Sequence, residues 1–107
     1  MEEKDFLEFS EIKLIRLADL IESSDVNSLF DVEYSDGILS IDIFGKDKTY
    51  IINKHNASRK IWFSSPISGA DYFAFDYGTK NWLNPNNKEL SEILLNELSN
   101  NFNYVTK

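Results

Sequence analysis

The sequence predicts an α+β fold: a two-layer sandwich whose N- and C-terminal helices pack on one face of a five- to six-stranded, mostly antiparallel sheet. Three observations carry this. Apolar residues recur with a helical period at both ends of the chain, alternate with polar ones between those ends, and the alternating runs are joined by links of a few residues. Links that short join antiparallel neighbours, because a parallel pair needs a crossover of about a dozen residues or more. Two helices of this length cover one sheet face, and the other face is left wet.

From Glu3 to Ser24, Phe6, Leu14, Leu17 and Ile21 share one side at about 100° per residue, and Ser10 fills that side without breaking it. The same arithmetic gathers Glu8, Glu11, Asp19 and Glu22 on the opposite side around Ile15, giving an acidic stripe. A solvated helix face is the commoner fate of such a stripe. Phe30, Val32 and Tyr34 then alternate with Asp31, Glu33 and Ser35 up to Asp36-Gly37, the strongest short-range hairpin signal. "ILSIDIF" sends Leu39, Ile41 and Ile43 inward, "GKDK" turns the chain, and "TYIIN" completes a three-strand meander. "KHNASR" reads as a polar connection, with His55 a solvated imidazole inside it. "KIWFSS" is a fourth strand, ended by Pro66 in a loop that holds Ser68 and Gly69. "YFAFDY" and "KNWL" form a second hairpin, in which Trp82 has the character of a core residue. The closing helix takes its apolar face from Leu90, Ile93, Leu94 and Leu98, with Asn86 as its cap and Glu89 bonding back in a capping box.

A length of 107 residues with 42% hydrophobic content fits one domain, residues 1–107, with a single core. Eighteen acidic against 11 basic side chains give a net charge of -7, a field that repels phosphate backbones and anionic headgroups, so nucleic acid and membranes are not expected partners. No apolar run reaches the roughly 18 residues of a membrane span, and "MEEKDFLEF" has no signal or transit character, so a cytoplasmic protein is expected. Without cysteine the chain offers no thiolate for catalysis or for metal ligation. The four glycines stand singly, no Glu-x-x-His pair exists, and Ser64 and Ser65 lie in no nucleophile-elbow pattern, which argues against phosphate-loop, bundle-type di-iron and serine-hydrolase chemistry. No catalytic residue is assigned.

Alternation in "KIWFSS" places Ile61 and Phe63 beneath the helices and leaves Lys60, Trp62 and Ser64 on the open face. Thr49, Ile51 and Asn53 turn outward on the neighbouring strand by the same logic. Trp62 then stands on a wet surface among polar and aliphatic neighbours; a curled sheet packing the indole on a loop is the alternative.

In order and with compatible spacing, "SDGILSIDI", "TYIINK", "IWFSSPISG" and "GTKNWL", between an acidic first helix and a closing helix, resemble the frataxin family in its short bacterial, CyaY-type form. The resemblance covers nearly the whole chain. It implies a helix–sheet–helix sandwich that binds iron, Fe²⁺ or Fe³⁺, weakly through surface carboxylates and docks on the cysteine desulfurase and iron–sulfur scaffold complex to regulate cluster assembly. It further implies a monomer in the absence of iron. On this chain the metal set is Asp19, Glu22, Asp25, Asp31 and Glu33, along one edge of the sandwich, and the partner-binding set is Asn53, Trp62, Lys60, Ile51 and Ser64. Ala18, Ser23, Ser24, Asn27 and Ser28 stand where the family's ridge is usually acidic, which implies fewer or weaker metal sites. The alternative role is a ferroxidase and iron store that oligomerises with iron, and a further one is an acidic interaction module with no metal role.

Overall fold

A computed structural model describes residues 1–104. Helix α1 (Glu3–Ser24) is followed by β1 (Phe30–Ser35), β2 (Ile38–Ile43), β3 (Lys48–His55), a 3₁₀ turn at Asn56–Ser58, β4 (Lys60–Ser65), β5 (Gly69–Asp76), β6 (Asn81–Leu83) and helix α2 (Leu90–Phe102). The strands pair in sequence order as one six-stranded sheet, each antiparallel to the next. The α+β sandwich is therefore as expected, with six strands and no parallel pair among the described residues.

α1 buries Phe6, Ser10, Leu14, Leu17 and Ile21. Ser10 is tolerated in that apolar stripe because its hydroxyl donates to the Phe6 carbonyl at 2.6 Å, so no polar group is left unpaired. α2 contributes Leu90, Leu94, Leu98 and Phe102, and the inward residues of the strands, among them Leu39, Ile41, Ile52, Ile61, Phe63 and Phe73, complete the core. Trp82 is 2% exposed and meets Phe6 edge-on at 5.9 Å, which makes it the core residue its context suggests.

The first hairpin turns on Asp36 and Gly37 with φ of 52° and 77°, the doubly left-handed pair that matches the twist of the flanking strands. A Cβ at Gly37 would also come within 3.3 Å of the Lys54 side chain, so both space and backbone angle favour glycine there.

Three boundaries differ from the sequence reading, each for a tertiary reason. β3 runs on through Lys54 and His55, which pair with Ile61 and Lys60, because Arg59 in a left-handed conformation (φ 55°) closes the turn tightly enough to keep the ladder going. His55 is thus a strand residue, not part of a polar loop. β5 begins at Gly69, pairing with Ser65, so the Pro66 loop is shorter than its composition suggests. Asn86 does not cap α2: Glu89 does, accepting from the N–H groups of Ser91 at 2.8 Å and Glu92 at 3.3 Å. Buried Asn84 instead organises the preceding turn, accepting from Asn86 and Lys88 N–H and donating to Asp71. Burial works to raise the Glu89 pKa, but the Ser91 N–H and the Lys13 ammonium, 3.0 Å away, hold it below the usual carboxylate range. Glu97 ties α2 to the sheet, accepting from the hydroxyls of Tyr50, Ser65 and Ser68.

Candidate functional site

Antiparallel pairing arranges the outward residues of the sheet as a grid. One row reads Ile38, Asn53, Trp62, Tyr72 across β2 to β5, and the next reads Glu33, Ser40, Ile51, Ser64, Ala70 across β1 to β5. Trp62 is 40% exposed in the centre of this face, beside Tyr72 at 48%, with Ile38 at 46% one strand beyond Asn53. The open-face placement therefore holds, and the indole does not fold onto a loop. It is held in place by its neighbours. The His55 ring stacks on it at 3.9 Å and 13°, and Tyr72 meets it edge-on at 6.1 Å. The His55 imidazole is itself fixed by Ser58, 2.7 Å from Nδ1. Lys60 is exposed, with its ammonium 5.6 Å from the centre of the Tyr72 ring. Asn53 is half-buried and donates to the Lys54 carbonyl at 3.1 Å; Ile51 is half-buried opposite exposed Ser64.

The carboxylates fall into two layers separated by edge strand β1. Asp19 and Glu22 are exposed on α1, while Asp31 and Glu33 are exposed on the helix-free side of β1, because Phe30, Val32 and Tyr34 take the inward positions. Asp25 joins the layers structurally: its two oxygens accept from Leu29 N–H at 2.8 Å and Phe30 N–H at 2.9 Å, fixing the chain as it leaves α1 for β1. Among the described residues, no three His, Asp or Glu side chains are gathered to hold one ion. Glu11 of the helical stripe is engaged elsewhere, accepting from the Tyr34 hydroxyl and pairing with Lys54 at 2.9 Å. Those contacts, Tyr34 first and then Lys54, hold its pKa below the usual range.

Asp42, His55, Tyr72 and Ile38 escaped the sequence reading. Asp42 stands directly opposite Asp31 on the open side, so two carboxylates face each other across the hairpin, an unfavourable pairing that a cation would relieve. Asp42, Tyr72 and Ile38 occupy outward positions by alternation; His55 does so only because β3 runs on through it. What made them neighbours of Asp31, Trp62 or Asn53 is the register between strands, which alternation does not give.

A family model described as a frataxin-like domain matches residues 1–104. The frataxin from Psychromonas ingrahamii has the same fold, with a TM-score of 0.84 at 15% identity over 100% of this chain and 97% of that one. Trimeric frataxin from the yeast Saccharomyces cerevisiae, with its full-length N-terminus, superposes with a TM-score of 0.74 at 31% identity, over 86% of this chain and 77% of that one. A trimeric yeast frataxin complexed with ferrous iron gives 0.65 at 31% identity, over 94% and 85%. The mitochondrial frataxin of Dictyostelium discoideum is 42% identical over 71 residues, 65% of this chain, and the mitochondrial frataxin homologue of Schizosaccharomyces pombe is 34% identical over 53 residues, 50% of this chain. These matches span about a third of those relatives' own length, 36% and 33%. No helix among the described residues is long and apolar enough to cross a membrane.

Proposed function

This chain belongs to the frataxin family, and from that premise we propose that it is an iron-binding regulator of iron–sulfur cluster assembly, docking on a cysteine desulfurase and scaffold complex through its open sheet face. The observation that carries the docking half is Trp62, exposed yet held by His55 and Tyr72 in the middle of the open face with Asn53, Ile51, Lys60 and Ser64 around it. An indole already fixed in one orientation loses little entropy when a partner buries it, and a central aromatic of this kind is worth about 2 kcal/mol or more in an interface.

Iron is the expected ligand of the acidic edge. Hard oxygen donors without thiolate suit Fe²⁺ and Fe³⁺ as they suit Mn²⁺ or Ca²⁺. Asp19, Glu22, Asp31 and Glu33, with Asp42, are spread over two layers, so each bound ion keeps most of its water and exchanges quickly, while Asp25 supports the connection. The reading is of a binding protein and not an enzyme. In an NMR titration, Fe²⁺ or Co²⁺ is expected to shift or broaden amides around Glu22 and Asp31; an unperturbed spectrum removes the metal half. For the regulatory half, the initial rate of cluster formation by purified desulfurase and scaffold is expected to change when the protein is added, and to change further with Fe²⁺. No change at any iron level, in a mixture where another frataxin acts, removes it.

A second reading, an iron store that oxidises Fe²⁺ and oligomerises with it, draws on the similarity to trimeric yeast frataxin complexed with ferrous iron. Sedimentation with and without Fe²⁺ separates the two: the regulator stays a monomer at stoichiometric iron, and the store assembles.

A further inference from the structure

On the helix-covered side of the molecule a groove of about 580 Å³ opens between one flank of α1, the outer end of β5–β6 and the start of α2. Its floor and walls are apolar and aromatic. Phe9 lies 5.0 Å from Phe75, which in turn meets Tyr77 edge-on at 5.1 Å and Trp82 at 5.4 Å, and Leu17 and Leu20 of α1 close the other side. The volume is that of a small-molecule site, about 300–1,000 Å³.

The charge around this groove is opposite to that of the chain. The protein carries a net charge of -7, yet no Asp or Glu lines the groove, whereas Lys13, Arg16 and Lys80 do. Lys13 is spoken for by Glu89 at 3.0 Å and Ser91 at 2.6 Å. Arg16 and Lys80 are exposed and in no ion pair among the described residues. α1 explains the segregation: Glu8, Glu11, Asp19 and Glu22 occupy one flank, and Arg16 stands with Phe9, Ile12 and Leu20 on the other. No carboxylate lines this groove to offset Lys13, Arg16 and Lys80 against an incoming cation, and a neutral apolar molecule would leave Arg16 and Lys80 unused.

We propose that this groove binds a small amphipathic anion, with its acyl or aryl body against Phe9, Leu20, Phe75 and Trp82 and its carboxylate or phosphate head on Arg16 and Lys80. The open face and its partner are not involved, so the two activities are separable. Burial of the body supplies most of the affinity and the two cations select for the charged head.

Because the chain holds two tryptophans, Trp62→Phe leaves Trp82, in the floor of the groove, as the sole indole reporter. Decanoate, decyl phosphate and decanol, each below its micelle concentration, are titrated into this variant and followed by Trp82 emission. Saturable shifts are expected with decanoate, decyl phosphate or both, about tenfold tighter than with decanol. A preference between the two anions distinguishes a fatty-acid from a phosphate source. Adding Arg16→Gln and Lys80→Gln should bring the anions to the affinity of decanol without changing the circular dichroism. The proposal is overturned if neither anion gives a saturable shift, if the double substitution leaves anion affinity unchanged, or if the shift appears only with loss of helical signal.

Discussion

Strand β4 shows two chemistries on two sides of one short segment. Ile61 and Phe63 point under the helices and are fully out of water, whereas Lys60, Trp62 and Ser64 point away from them and are exposed. The difference teaches where a large apolar side chain is structural and where it is available. Phe63 is locked among Tyr50 at 5.9 Å and Phe73 at 6.0 Å within the core. Trp62, the larger residue one position away, touches His55 and Tyr72 while keeping 40% of its surface in water.

Truncating each side chain separates the two roles. Phe63→Ala should lower stability by about 3–5 kcal/mol through lost burial and the cavity left behind. Trp62→Ala should cost less, about 1–2 kcal/mol by the same urea titration, since the His55 and Tyr72 contacts go but the indole is only partly covered. Equal losses would make Trp62 a core residue. Next in size, Asp25→Ala should cost about 1–2 kcal/mol in the same titration, because the Leu29 and Phe30 N–H groups lose both acceptors, as at a deleted helix cap. A neutral outcome would return Asp25 to the free surface carboxylates.

The pH profile of thermal unfolding should follow the contacts between layers. Glu11 and Glu89 have lowered pKa values when folded, so their contribution is complete above about pH 4.5 and is lost as acid protonates them. Tyr34 and Tyr50 have raised values, by burial first and then by their hydrogen bonds to Glu11 and Glu97. Their contribution is complete below about pH 10 and is lost as pH rises beyond it. A plateau between those limits is expected, with Glu89→Gln flattening its acid side; an acid limb that ignores this substitution would remove Glu89 from the account. The smallest effect has the opposite sign. Asp31→Asn should stabilise the protein by about 0.2–1 kcal/mol at low salt by removing the repulsion with Asp42, while weakening Co²⁺ effects on neighbouring amides. Destabilisation by Asp31→Asn would mean that this pair is not repulsive.

What was legible in the sequence was periodic. The span and buried side of α1, the Asp36-Gly37 turn and the outward placement of Trp62 all follow from one segment's own pattern. What was not legible depends on partners distant in the chain. Asn86 suits a helix cap by residue type and Glu89 suits the capping-box partner, yet Glu89 is the cap because Lys13, from the other helix, reaches it and Asn84 shapes the turn before it. His55 looks like a loop residue in "KHNASR" until a tight turn carries the ladder past it and lays its ring on Trp62. Asp19, Glu22, Asp31 and Glu33 are exposed and Asp25 is tied into the backbone, and the division of the exposed four between α1 and the far side of β1 is a consequence of how the layers stack, which also places Asp42 beside Asp31. The groove at Arg16 and Lys80 is assembled from α1, β5, β6 and α2, and no single segment announces it.

On the proposed function, the open side of β4 is kept free for a partner. The most direct test is the affinity of Trp62→Ala for the purified desulfurase and scaffold complex, measured at a temperature where circular dichroism shows both variant and parent fully folded. A loss of about thirtyfold, the equivalent of about 2 kcal/mol, is the predicted result. Unchanged affinity would contradict the account and move the docking surface off the open sheet face.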